Sequence, residues 1–309
     1  MQAAPLPDRA IVHVSGDDGR HFLNGLVTAN VATMGPATPR FAALLTPQGK
    51  IVVDFLIVEI PAQDGPAQTG GGFLLDVPAA LADGLVTKLK FYKLRAKVSV
   101  EDRSSALAVL ALWGEGADPA ATEPAAIDGL VFRDPRLPAL GFRAIVPAGS
   151  IAAVAEKLGA TLTDASAWEA HRIALGIPRG GVDFAYGDAF PHETDMDQLA
   201  GIDFKKGCYV GQEVVSRMQH RGSARTRVVP VTFDGFAPPP GMPVMAGEIA
   251  VGAMGSAVPG RGLAALRLDR VGEAMVAGTP LVAGGITLVP EKPGWAGFAW
   301  PGDTAAKAP

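Results

Sequence analysis

Cysteine is nearly absent from this 309-residue sequence, in which Cys208 is the single thiol. One thiol excludes an internal disulfide, and it excludes every zinc or metal-cluster site built from several thiolates of one chain. If a metal cluster is involved, this chain must share it with another chain or hold it only transiently.

Strong charge of one sign is also absent. The net charge is -4 and Lys and Arg are spread along the chain, which gives no footprint for a nucleic-acid backbone. The sequence does not start with a basic segment followed by an apolar one, and its longest apolar run, residues 106–113, is far below the roughly 18 residues of a membrane span. We therefore expect a cytoplasmic protein with neither nucleic acid nor a membrane as a direct partner.

What the sequence does have is apolar content and turn residues. Hydrophobic residues make up 48%, with 38 glycines and 26 prolines, so we expect a large core, two or three domains and many short strands. Alternation predicts strands at residues 10–14, 41–46, 50–60, 73–77, 96–101, 106–113, 130–133 and 141–146. Helical periodicity predicts helices after Ser15, from about residue 81 to 95, and at residues 150–158 and 165–175. This order indicates an α+β protein with two similar half-domains.

The character of the sequence changes after Gly222. Short β-like runs at residues 228–233, 249–254, 263–268 and 287–289, separated by Pro and Gly, predict a C-terminal antiparallel barrel. The expected domains are a first half-domain at 1–101, a second at 102–222, the barrel at 223–301, and a flexible tail at 302–309.

The most informative string is KGCYVGQE, residues 206–213, with Cys208 at its centre. Lys205 and Lys206 precede the thiol and a helical segment follows, so positive charge and a helix N-terminus would favour the reactive thiolate. Flanking Gly207 and Gly211 suggest close approach of the backbone to a neighbour or ligand. We predict a reactive Cys208; the alternative is a small buried hydrophobe.

The helical part of this string places Glu213 and Arg217 four residues apart on one face. The pair is either an ordinary surface ion pair or part of what fixes the Cys208 loop, and we favour the second. The residues expected to have such a structural role in the string are Lys206, Gly207, Tyr209, Gly211, Gln212 and Glu213.

KGCYVGQE and its continuation VVSRMQHRG resemble the signature of YgfZ-type folate-binding proteins, which are related to the aminomethyltransferases and to mitochondrial iron–sulfur assembly proteins. Similar segments occur in family order: FLNGLVTANV, ALLTPQGK, YKLRAKV, DPRLPALGFR and RIALGIPRGGVDF. The resemblance covers roughly residues 10–300. It implies an aminomethyltransferase-like fold, with two ferredoxin-like half-domains and a C-terminal barrel around a central channel in which folate sits.

The resemblance also assigns candidate ligand-binding residues. Glu193 matches the carboxylate that holds the pterin in aminomethyltransferases, and an ionised carboxylate can accept hydrogen bonds from the adjacent N3–H and 2-amino donors of a pterin. On charge, Lys205, Arg217 and Arg221 are candidates for the acidic tail of folate. The expected cofactor is tetrahydrofolate or a one-carbon derivative.

One departure from the enzymes concerns their catalytic aspartate. Ungapped matching of GKIVVDFL places Val53 at its position and Asp54 one residue later. A valine cannot accept a proton, and Asp54 points to the opposite face of the strand. The resemblance therefore implies an accessory factor for the iron–sulfur clusters of client enzymes, with those clients or assembly proteins as partners. A folate-dependent one-carbon transferase and a folate-independent adaptor are the alternatives.

A metal site is not expected. His192 lies near Asp195 and Asp197, but we predict that Asp195 caps a helix that begins near Met196.

Overall fold

The computed structural model describes residues 1–36, 38–61, 71–116, 128–222 and 224–302. The chain divides into two compact units. Unit 1 contains Met1–Trp168 and Leu199–Gln212, and unit 2 contains Glu169–Gln198 and the chain from Glu213 onward. The predicted tail lies outside the described residues from position 303 onward.

Unit 1 contains two five-stranded sheets, the first of which is wholly antiparallel. Its strands, in the spatial order β3-β4-β5-β2-β6, are β2 (Arg9–Ser15), β3 (Arg40–Leu45), β4 (Ile51–Ile60), β5 (Gly72–Pro78) and β6 (Ser99–Asp102). Helices α1 (Gly19–Asn24) and α2 (Ala82–Tyr92) bury Phe22, Leu23, Leu85 and Leu89 on one face of it.

The second sheet contains two strands that alternation did not reveal, Gln2–Pro5 and Thr161–Leu162. Its strands, in the order β10-β1-β7-β9-β8, are β1 (Gln2–Pro5), β7 (Leu107–Trp113), β8 (Leu130–Arg133), β9 (Phe142–Pro147) and β10 (Thr161–Leu162), with helix α3 (Ile151–Lys157) packed beside it. Because β1 pairs with β7, the start of the chain belongs to the second sheet. The predicted boundaries of the half-domains stay a proposal, in which β1 now belongs with the second half-domain.

Buried charges connect the two sheets of unit 1. Arg143 on β9 lies 3.7 Å from Asp76 on β5 and 3.4 Å from Asp134. Arg9 also pairs with Asp76, and Arg136 with Asp134. Burial alone would raise the pKa of the Asp134 carboxyl, but Arg136 and Arg143 lower it overall, so Asp134 is kept as an ionised partner for the buried guanidinium of Arg143.

Unit 2 contains a closed barrel of six strands. In the order β11-β14-β13-β12-β15-β16 these are β11 (Thr226–Thr232), β12 (Pro243–Ala246), β13 (Ile249–Val258), β14 (Arg261–Arg267), β15 (Leu281–Ala283) and β16 (Ile286–Pro290). Helix α6 (Leu268–Ala277) follows β14 and packs Leu268, Val271 and Ala274 onto the barrel core. Its Asp269 in the first turn and left-handed Gly278 at the end are helix signals that the sequence reading overlooked.

The predicted α+β architecture with a C-terminal antiparallel barrel is confirmed. Two further helices are α4 (Ala165–Ala174) and α5 (Gln212–Arg221). The central channel stays a prediction. Within the described residues, no helix has the length and apolarity needed to cross a membrane.

Candidate functional site

The segment that carries the signature, residues 201–211, forms an irregular loop held on unit 1; we call it the signature loop. The buried hydroxyl of Thr28 donates to the carbonyl of Gly201 at 2.6 Å and accepts from the amide of Ala43 at 2.9 Å. The amide of Asp203 donates to the carbonyl of Thr28 at 3.0 Å. Thr28 thus ties the start of the loop to the first sheet.

Lys206 holds the middle of the signature loop. Its buried ammonium donates to the carbonyls of Asn24, Val27 and Ala29, each at 2.7 Å. Burial lowers the pKa of this ammonium to about 8, although the carboxylate of Asp203 acts in the opposite direction. Since an ammonium has three N–H donors, these three carbonyls use all of them.

Tyr209 completes this attachment. The Lys206 ammonium lies 5.1 Å from the centre of the Tyr209 ring, which is buried. Burial raises the pKa of the Tyr209 phenol to about 12, with the nearby charge of Asp203 adding to the effect. Both side chains attach the signature loop to unit 1, and the charge of Lys206 is used on backbone carbonyls.

The two glycines of the signature differ in their surroundings. Gly211 has φ +82°, and a Cβ there would lie 2.6 Å from the carbonyl oxygen of Thr46 and 3.1 Å from Cα of Gly49, in the β3–β4 turn. At Gly207 nothing lies within 4 Å of such a Cβ. Close backbone approach is thus a property of Gly211, and the same expectation for Gly207 is wrong.

Cys208 is exposed at the surface of this fixed loop. The alternative that it is a small buried hydrophobe is therefore wrong. Lys205 beside it is also exposed, and the amides of Lys205 and Lys206 both donate to Oδ1 of Asp203, at 2.8 and 3.0 Å. The thiol is accessible on a backbone that several buried contacts hold in place.

A cavity of about 380 Å³ adjoins the signature loop in unit 1. Its walls include the apolar side chains of Phe41, Ile202 and Phe204, and two cations, Arg40 and Lys205. Lys205 is the one candidate for the acidic tail of folate that unit 1 contains.

Glu193, the candidate pterin ligand, belongs to a 3₁₀-helical turn, Pro191–Thr194, in unit 2. Its partly buried carboxylate accepts a 2.9 Å hydrogen bond from the amide of Phe190 through Oε2. Among the residues that the structure describes, Oε1 has no hydrogen-bond donor. One carboxylate oxygen is thus anchored and the other is available to a ligand.

Arg227 on β11 fixes the turn that carries Glu193. Its buried guanidinium donates to the carbonyl of His192 at 2.6 Å, to Asp195 at 3.2 Å, and to both oxygens of Asp197 at 2.6 and 3.0 Å. Burial raises the pKa of the Asp195 carboxyl well above its usual range, against the pull of Arg227. Sequence reasoning missed Arg227.

The expected role of Asp195 is wrong. Asp195 has φ +62° and ends the 3₁₀ turn, and no helix begins at Met196. Its carboxylate is buried against Arg227, where a left-handed Asp can close the turn. Within the described chain, no group of three or more His, Cys, Asp or Glu side chains is placed to hold a metal ion.

His192 lies on the wall of a second cavity, of about 460 Å³, in unit 2. Its Nε2 lies 3.0 Å from Oε1 of Gln219, and burial lowers the pKa of the imidazole. Arg225, Arg227 and Phe298 also line this cavity.

The expected pair on α5 is present. Arg217 donates to Glu213 at 2.8 Å, and the two side chains are 52% and 87% exposed. Arg221, at the end of α5, is exposed as well. A pair with this exposure contributes little to stability, so a role in fixing the signature loop rests on Lys206 and Gly211 instead. Gln212 begins α5 with its amide 3.3 Å from the carbonyl of Tyr209.

Val53 is buried in the apolar core of the first sheet, with 1% of its surface exposed. A β-bulge lies beside it, because Leu44 pairs with Val53 while Leu45 pairs with Ile51. Asp54 is next in the strand and is also buried. No carboxylate occupies the position of Val53.

Two comparisons define the class of protein. The described chain superposes on an aminomethyltransferase of the glycine cleavage system from Bartonella henselae with a TM-score of 0.74 at 17% identity, covering 97% of this chain and 87% of that one. Residues 225–298 match the model of the CAF17 C-terminal beta-barrel domain. The fold is therefore that of the aminomethyltransferases.

Sequence relatives identify the family within that class. The chain is 32% identical to the mitochondrial iron–sulfur cluster assembly factor IBA57 of Mus musculus over 257 residues, covering 77% of this chain and 68% of the relative. It is 35% identical to the IBA57 homologue of Mycosarcoma maydis, covering 77% of this chain and 58% of the relative. The chain belongs to the IBA57 family, as its resemblance to YgfZ-type proteins predicts.

The chain spans a little over half the length of the fungal relatives that it matches. These relatives and the mouse protein are all named as mitochondrial. The prediction of a cytoplasmic location is therefore wrong by comparison with the family.

Proposed function

We propose that this protein is an accessory factor in the assembly or repair of iron–sulfur clusters in client enzymes, and that it binds tetrahydrofolate or a one-carbon derivative. The observation that carries the proposal is an exposed Cys208 on a loop fixed by the buried ammonium of Lys206. The relatives, which are named as cluster assembly factors, support the same role. A single thiol suits transient contact with a cluster, a client or an assembly protein, because a resident cluster needs more ligands.

The residues around Glu193 fit the pterin of folate. The free Oε1 can accept from one pterin donor, and Oε2 retains a second lone pair beside the bond from Phe190. Glu193 would hold and orient the pterin, and Arg217, Arg221 and Lys205 remain candidates for the acidic tail. Folate supplies one-carbon chemistry when it is bound.

We further propose that the protein is not an aminomethyltransferase of the usual mechanism. The position expected for the catalytic aspartate holds Val53 in an apolar core, and a valine side chain cannot take up a proton from the folate nitrogen.

Calorimetry with tetrahydrofolate tests the folate part. Wild type should bind in the micromolar range, and Glu193→Ala should lose most of that affinity. Glu248→Ala, which removes an exposed carboxylate between β12 and β13, is the matched control and should bind like wild type. No binding to the wild type would contradict the folate proposal and favour a folate-independent adaptor.

Complementation tests the cluster part. In a deletion strain of the source organism, an aconitase-type client should have low activity. The wild-type gene should restore it, and Cys208→Ala should not. Gly207→Ala, on the open side of the same loop, is the control and should restore activity. Full rescue by Cys208→Ala would remove the thiol from the mechanism.

A further inference from the structure

The C-terminal end of α2 exposes large apolar side chains. Phe91 is 75% exposed and Leu94, two residues after the helix, is 85% exposed. Lys88, Lys90 and Arg95 are exposed around them. We call these five residues the Phe91 surface. Exposed apolar side chains with polar residues at their rim mark candidate interaction sites, and an aromatic residue is a usual anchor of such a site.

At Leu94, the backbone of this surface adopts a left-handed conformation that is unfavourable for leucine. Leu94 has φ +44° at the position after the helix C-cap, Lys93, where glycine is usual. A left-handed leucine is strained, and because the side chain is exposed, burial in this chain does not offset the strain. The side chain is therefore held outward at a conformational cost.

The charge of the surface is one-sided. Residues 84–100 contain Lys88, Lys90, Lys93, Arg95 and Lys97 and no acidic residue, in a chain of net charge -4. Lys93 donates to the carbonyl of Val98 at 2.9 Å and Lys97 lies 3.8 Å from Asp17. The even spread of cations expected from the sequence thus fails here, as it does at residues 214–233, which contain four arginines and no acidic residue.

The position of the surface argues against a membrane. A helix that lies on a lipid surface needs an apolar face along its length. On α2 that face, Leu85 and Leu89, is buried in the core of the first sheet, and only Phe91 and Leu94 are left to insert. Phe91 also packs edge-on against the partly buried Tyr92, with the ring centres 5.9 Å apart.

We propose that the Phe91 surface docks an acidic protein partner, whose apolar pocket receives Phe91 and Leu94 and whose carboxylates face Lys88, Lys90 and Arg95. The inference rests on the proposed function in one respect: the partner is a cluster client or assembly protein. Electrostatic attraction would speed the encounter, and the two apolar side chains would supply most of the affinity.

The first test separates docking from folding. The double variant Phe91→Ser with Leu94→Gly removes the apolar anchors and relieves the strain at position 94, so its melting temperature should not fall. In the deletion strain it should restore markedly less client activity than wild type. Phe236→Ser, which removes a 92% exposed aromatic from unit 2, is the matched control and should restore full activity. Full rescue by a stably folded double variant would overturn the proposal.

The second test identifies the partner directly. In cells, a photo-cross-linking phenylalanine analogue replaces Phe91 in the full chain; in the control protein it replaces Phe236. Mass spectrometry then identifies the proteins that become cross-linked. Position 91 should give an adduct with an acidic protein, and Lys88→Glu with Lys90→Glu should reduce it about tenfold or more. The proposal would be overturned if position 91 gave no adduct, if position 236 gave an equal adduct, or if the adduct were with a second copy of this chain. It would also be overturned if charge reversal left the adduct unchanged, or if the purified protein bound phosphatidylserine vesicles through Phe91. An acidic partner with no iron–sulfur role would leave the docking surface standing and count against the proposed function.

Discussion

The ammonium of Lys206 donates a 2.7 Å hydrogen bond to the carbonyl of Asn24, which lies 182 positions earlier in the chain. Two further bonds reach the carbonyls of Val27 and Ala29 in the same segment. Because all three acceptors are backbone atoms, the loop that carries Cys208 is fixed in place by the fold itself. Lys206 therefore helps to fix the position of the Cys208 thiol.

Lys206→Met should destabilise unit 1 and loosen the signature loop. The variant leaves three carbonyls without their donor, and we expect a loss of roughly 2–4 kcal/mol in the free energy of unfolding. Denaturant titration measures the loss, and hydrogen exchange of residues 201–211 measures the loosening. Lys205→Met, at an exposed neighbour, should change neither. A change below about 0.5 kcal/mol in Lys206→Met would show that the three bonds contribute nothing net.

The lowered pKa of Lys206 predicts a dependence of stability on pH. The native pKa is about 8 and the usual value is 10.5, so between these values the unfolded chain binds more protons than the native one. The contribution of this titration to stability therefore rises with pH from about 8 to 10.5. Over the same range the neutral amine has two N–H donors for three carbonyls, so the loop itself should become more mobile. The difference in unfolding free energy between wild type and Lys206→Met, followed from pH 7 to 10.5, checks the sign; a difference that falls with pH would contradict it.

Gly211 and Gly207 offer a matched pair of substitutions in one loop. Gly211→Ala places a Cβ 2.6 Å from the carbonyl oxygen of Thr46 at a left-handed backbone position, so we expect a loss of about 2 kcal/mol or more. Gly207→Ala meets nothing within 4 Å and should lie within about 0.5 kcal/mol of wild type. Thermal unfolding of both variants measures the two losses of stability. Equal losses would mean that the close approach to Thr46 is not the reason why position 211 requires glycine.

Elements with a clear apolar period could be predicted from the sequence. The β3–β4 hairpin and α2 were expected within a few residues of their observed bounds, because alternation and a four-residue repeat set their buried faces. The strands Gln2–Pro5 and Thr161–Leu162 were missed because pairing with distant strands makes them, and so short a segment has no period of its own.

The sequence could predict which residues belong to the candidate site, but not which atoms they contact. The string around Cys208 predicts a constrained loop; in the structure Gly211 lies against the β3–β4 turn and Tyr209 is buried. The acceptors of Lys206 lie in a segment far away in sequence, so the inward direction of its ammonium could not be read from neighbouring residues. Arg227 was overlooked for the same reason, because its partners become neighbours only when the barrel forms.

Val53→Asp should not restore a working aspartate. The side chain is 1% exposed in an apolar core, so a carboxylate there would be buried without a partner, and we expect a loss of roughly 3–5 kcal/mol. Val289→Asp, on a barrel strand at 56% exposure, is the control and should be close to neutral. Chemical denaturation compares the two. A stable Val53→Asp protein would mean that the core opens there, and it would reopen the question of transferase chemistry.

Arg227→Met should loosen the turn that carries Glu193. Without the guanidinium, the buried carboxyl groups of Asp195 and Asp197 both lose their cation, and the carbonyl of His192 loses its donor. We expect a loss of about 3–5 kcal/mol in stability, and weaker binding of tetrahydrofolate if Glu193 holds the pterin. Arg225→Met is the control, because that side chain is 72% exposed and 4.0 Å from Asp269, and it should cost less than about 1 kcal/mol.

Stability and tetrahydrofolate affinity, measured together, show whether Arg227 positions Glu193 or only stabilises unit 2. Adding Asp195→Asn to Arg227→Met removes one of the two buried carboxyl groups left without a cation, so it should recover part of the lost stability. It cannot replace the bond to the His192 carbonyl, so folate affinity should stay low while stability recovers. If affinity recovers in step with stability, Arg227 supports only the fold of unit 2; if affinity stays low in a stable protein, Arg227 positions Glu193 for its ligand.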